Sequence, residues 1–137
     1  IGLLLRDLLP TPVDPNAFLA PRVLAPLLLV MPFVETAFIH FLWIELLLKL
    51  GKGQKWALYS GATLAATAFF AMHYHLNGAF NGYAYGLVGG ITLSTMYVLS
   101  RNGGAQKAFF WTWMLHLCSN SFMVLSMAFY GMAVGIS

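Results

Sequence analysis

"VLAPLLLVMPFVETAFIHFLWIELLLKL" (residues 23–50) decides the fold. Its only ionisable side chains are Glu35, His40, Glu45 and Lys49. The run exceeds the ~20 apolar residues with which a helix crosses a ~30 Å hydrocarbon core. Without water, backbone N–H and C=O groups must pair within the segment, and a helix does this. A carboxylate about ten residues into such a run needs a proton or a partner. Glu35 is therefore the first residue whose role must be explained.

The whole chain repeats this character. Of its 137 residues, 60% are hydrophobic and 8% charged, with a mean hydropathy of +0.77. A soluble domain carries ~25% charged residues. The composition implies an integral membrane protein in contact with lipid and excludes a nucleic-acid partner, because the net charge of +3 resides in loops. The single cysteine, Cys118, lies in an apolar run and reads as a packing residue.

The expected fold class is all-α: a bundle of about four transmembrane helices, preceded by a short interfacial segment. Residues 1–22 hold "LLPTPVDPNAF", whose prolines preclude one continuous helix, so "IGLLLRDLL" reads as an amphipathic lead-in. The core, 23–137, contains apolar segments at about 23–50, 55–76, 82–100 and 107–134. Gly- and Asn-rich breaks separate them: "GKGQK" (51–55), "NGAFNG" (77–82) and "RNGGAQK" (101–107). Lys49, Lys52 and Lys55 flank the first break, Arg101 and Lys107 the third, and the second has no charge. The positive-inside rule then puts the first and third turns on one face. Gly86, Gly89 and Gly90 in the third segment suit close helix packing.

Few polar groups interrupt the spans. His116 and Asn120 are four apart and share one helix face. Glu35 and His40 are five apart, ~140° around an α-helix, so at most one of them should be central. His73 and His75 diverge further. Buried ionisable groups in spans face the bundle interior and pair there.

"PFVETAFIH" (32–40), "FFAMH" (69–73) and "HLCSN" (116–120), in that order on successive helices, resemble the CPBP intramembrane family of type II CAAX prenyl endopeptidases and abortive-infection proteins. Its motifs are EExxxR, FxxxH and HxxxN/D. The resemblance implies that Glu35, His73, His116 and Asn120 correspond to catalytic positions, with Glu35 activating water. Phe69 matches the second motif. Thr36 and His40 stand where the family has its second Glu and its Arg, and so lack the ion pair that positions the catalytic groups. Glu35, His73 and His116 also form a conceivable zinc set, although no HExxH is present.

Two functions fit. The favoured one is a non-catalytic, CPBP-like subunit ordered by other transmembrane subunits of a larger assembly. A photosynthetic complex is one setting, in a thylakoid, another organellar or a bacterial inner membrane. There His75 or His40 could ligate a chlorophyll, and the aromatic run "AFFWTW" (108–113) could pack on a partner, a chlorophyll or a carotenoid. The alternative is an active intramembrane endopeptidase of the CAAX-protease type using a Glu-activated water.

Overall fold

The computed structural model describes the backbone of residues 24–133. The expected interfacial segment, 1–22, lies outside the described residues. Four helical runs account for the described chain: α1 (24–50), α2 (Lys55–Asn81), α3 (Val88–Ser100) and α4 (Ala105–Ala133). They run up, down, up and down. α2 packs on α1 and α3, and α4 packs on α3 and back on α1, closing a four-helix bundle. The all-α expectation holds for the described residues.

α1 is not a regular α-helix. It opens with a π-helical turn, Pro26–Val30, continues as α-helix over Met31–Glu35, widens again at Thr36–Phe41, and finishes as α-helix over Leu42–Leu50. Pro26 and Pro32 explain the first departure. Neither has an N–H to donate, so the i→i−4 ladder is broken there, and the Met31 N–H bonds instead to the Pro26 carbonyl, five residues back.

α1 ends in a Schellman-type cap. Gly53 N–H bonds to Leu48 O at 2.8 Å and Lys52 N–H to Lys49 O at 3.2 Å. The left-handed position of this cap is Lys52 (φ +51°). The turn thus uses its glycines differently from the expected pattern.

The second break also differs. α2 remains helical to Asn81, and Gly82–Leu87 follows directly as a π-helical segment leading into α3. The chain nevertheless reverses between Tyr74 and Gly82, because the flanking residues face each other. A Cβ on Gly82 would lie 2.8 Å from Tyr74 Cα, one on Gly86 2.8 Å from His73 Cβ, and one on Gly90 2.8 Å from the Ala66 carbonyl oxygen. Three glycines four residues apart thus form the contact edge of this hairpin.

The core beside the α1–α2 turn is Ile44, Leu48, Ala62, Ala65, Tyr97 and Ala108, with alanines admitting the close approach. The turns at 51–55 and 101–107 share one end of the bundle, since Arg101 reaches Glu45 near the end of α1. By length and composition, one helix among the described residues is apolar enough to cross a membrane, Leu28–Leu50.

Replacing Gly90 with Leu is expected to lower the thermal midpoint of the detergent-purified chain. Its Cβ meets backbone, which cannot swing away, and overpacking of this kind costs about 1–3 kcal/mol. An unchanged melting curve would mean that α2 and α3 do not pack through Gly90.

Candidate functional site

The polar residues of three segments meet in the upper half of the bundle. Glu35 and Thr36 project from α1, and His116 from α4. His116 Nε2 lies 3.3 Å from Glu35 Oε2, within ion-pair distance, and with Nδ1 unprotonated the Thr36 hydroxyl donates to it at 3.2 Å. Thr36 is fully buried, and the Glu35 and His116 side chains are 14% and 5% exposed. Both nitrogens of His116 are therefore engaged by protein atoms from the opposite helix.

Phe69, 2% exposed on α2, is the apolar centre of the site. Its ring centroid lies 4.3 Å from that of His73, 5.4 Å from His40 and 5.5 Å from His116. His73 Nδ1 pairs with the Phe69 carbonyl one turn back, at 3.0 Å. The three imidazoles thus surround one phenyl ring.

The structure corrects the expected geometry of α1. Thr36–Phe41 closes i→i+5 turns, so residues five apart stack nearly one above the other instead of ~140° apart. Glu35 and His40 both turn inward as a result. His40 is completely buried. The carbonyls of Glu35 and Gly90 lie against its ring, but neither ring nitrogen makes a hydrogen bond of good geometry. A pigment cannot reach this imidazole, so the expected chlorophyll ligation by His40 does not fit. His75 is exposed, beside the Tyr74 ring. Of the His73/His75 pair, only His73 is central.

The zinc set does not fit either. Among the described residues, no three His, Cys, Asp or Glu side chains are arranged to hold a metal ion. Glu35 and His116 engage each other, while His73 faces its own helix backbone. Asn120, one turn beyond His116, is half-buried and engaged in the fold. Cys118, expected as a packing residue, is exposed.

Aromatic rings fasten α1 to α4 beside the polar cluster. Phe33 packs edge-on against Phe109 and Trp113 at 5.4 and 5.7 Å, and Phe41 against Phe109 at 5.6 Å. Phe110 and Trp111 of the same run face outward.

A second cluster went unread in the sequence. Arg101 grips Glu45 with both ends of its fork, Nε–Oε1 at 2.6 Å and Nη2–Oε2 at 2.9 Å, and Tyr97 donates to Oε1 at 2.8 Å. Arg101 lies outside the helical spans, and the hydrogen bond to Glu45 raises its pKa further. The signal was available: a carboxylate near the end of one apolar run requires a cation, and the third break supplies one at the same end.

Comparison with known proteins gave no match: no family model, curated protein or solved structure aligns with the chain.

Two substitutions separate the clusters. Thr36→Val removes the hydroxyl that serves His116 and is expected to destabilise the bundle by ~1–3 kcal/mol, since it leaves a buried acceptor unpaired. Arg101→Lys keeps the charge but loses the fork, and is expected to cost ~1 kcal/mol or less at this partly exposed site. Chemical denaturation in mixed micelles measures both, and a larger loss for Arg101→Lys would reverse the ranking.

Proposed function

We propose that the chain is a four-span membrane bundle acting as a non-catalytic, CPBP-like subunit of a larger membrane assembly. The observation that carries this reading is the double engagement of His116. His116 faces Thr36 with one nitrogen and Glu35 with the other, so the contacts of its imidazole are those of a link between two helices. The cluster reads as a clasp between α1 and α4.

Membrane residence is supported by the outer surface. Only 22% of the most apolar window of Leu28–Leu50 is buried, whereas the core helix of a soluble domain would be mostly covered. Phe38, Leu42, Trp43 and Leu46 on α1, and Val88, Ile91 and Leu99 around α3, are all exposed. A surface of this kind belongs against lipid or other transmembrane helices. If the assembly carries pigment, His75 is the imidazole placed to ligate a chlorophyll magnesium from the side.

The endopeptidase reading is favoured by a different observation. His73 and His116 lie around Phe69, and Glu35, beside His116, retains some exposure. One experiment separates the readings: reconstitute the pure chain in liposomes and supply prenylated and unprenylated peptides. The subunit reading expects resistance to alkaline extraction, no cleavage, and rapid loss of the chain in cells when its assembly is disrupted. Cleavage that disappears in Glu35→Gln would establish the enzyme instead.

A further inference from the structure

The outer seam between α2 and α3 is a groove of about 510 Å³, within the ~300–1,000 Å³ range of small-molecule sites. One wall carries Tyr59, Thr63 and Phe70; the other carries Leu87, Ile91 and Ser94. The floor is shallow because the helices touch through Gly90 and Ala66, leaving the larger side chains on either flank as ridges.

Two of the hydroxyls along the seam are satisfied within α2. Thr63 and Thr67 donate to the carbonyls of Tyr59 and Thr63 at 3.0 and 2.9 Å, and so present methyl groups outward. Ser94 differs: it is 4% exposed, and its Oγ is enclosed beneath the groove without a hydrogen bond, which costs ~1–3 kcal/mol.

The end of the groove is basic. Lys55 stands four residues before Tyr59 and continues the same stripe of α2. It is exposed, and no carboxylate pairs with it among the described residues, where Glu45 pairs with Arg101 and Glu35 faces His116. That end holds Lys49, Lys52, Lys55, Arg101 and Lys107 against Glu45 alone. Trp56 and Tyr59, both 57% exposed, mark the same level, as aromatic residues do at a membrane interface.

We propose that this groove binds one anionic glycerophospholipid, with an acyl chain along the seam and Lys55 neutralising the phosphate. The register supports this arrangement. Gly90 opposes Ala66, eleven residues or ~16 Å from Lys55 along the axis, so an acyl chain lying along the seam ends with its phosphate at the level of Lys55. An apolar partner helix would not answer the lysine. The proposal rests on the membrane reading above.

The test is native mass spectrometry of the full chain extracted from vesicles of equal phosphatidylglycerol and phosphatidylcholine. One phosphatidylglycerol is expected to stay bound. Lys55→Gln, an exposed change that leaves the fold intact, should weaken retention about fivefold. Thr63→Trp, which fills the groove from its rim, should abolish it. Glycerol 3-phosphate should not displace the lipid; displacement would assign the site to phosphate alone and overturn the proposal. Equal retention of phosphatidylcholine, or full retention by Lys55→Gln, would also overturn it. A chain released by alkaline extraction would remove the membrane reading and this proposal together. A chain that resists extraction but retains no lipid would remove this proposal only.

Discussion

The bundle closes through His116. Three loops join neighbouring helices, but no loop joins α1 to α4, and their contact spans 80 residues of sequence at Thr36 and His116. On the membrane reading proposed above, helices gain little from burying apolar surface against one another, so packing and hydrogen bonds decide which faces meet. The Glu35–His116–Thr36 clasp and the Phe33, Phe41, Phe109 and Trp113 rings join the two helices.

The sequence disclosed the helical class, the segment order and the identity of the central residues, because an apolar run with a few ionisable groups leaves little freedom. It did not disclose how Glu35 and His40 come to share a face. That depends on the wide turn Thr36–Phe41, for which hydrophobic periodicity gives no sign. Nor did it resolve the relative depth of His116. Counted from the basic turns, His116 should lie ~10–13 Å from the level of Glu35. The structure removes the mismatch by starting α4 deeper in the bundle. Phe41 meets Phe109, six residues from Glu35 and seven from His116, so the two helices stay in step from there upward. Loop composition says where a helix ends in sequence, not at what height it ends in the bundle. The Arg101–Glu45 pair was within reach of the sequence, since the charge pattern put both turns at one end, but the Tyr97 contact depends on the register between α1 and α3.

Not every buried group is satisfied. Besides His40 and Ser94, the Thr112 hydroxyl and the Trp113 indole N–H are enclosed without a hydrogen-bond partner. Each such group lowers the stability of the isolated bundle. Together with the exposed faces of α1 and α3, they describe a core whose stability gains from whatever surrounds it. A partner that binds only the folded form raises stability by mass action, which suits a subunit better than a free-standing enzyme.

The central claim is that His116 is a closed structural link. It is tested most directly by ¹⁵N solid-state NMR of the histidine-labelled chain in bilayers, with exchange into D2O. The account predicts one protonated and one acceptor nitrogen on His116, both hydrogen-bonded to protein, with an N–H that exchanges slowly and shows no water cross-peak. Fast exchange with a water contact at either nitrogen would contradict it, because the imidazole would then be open to the water that hydrolysis requires.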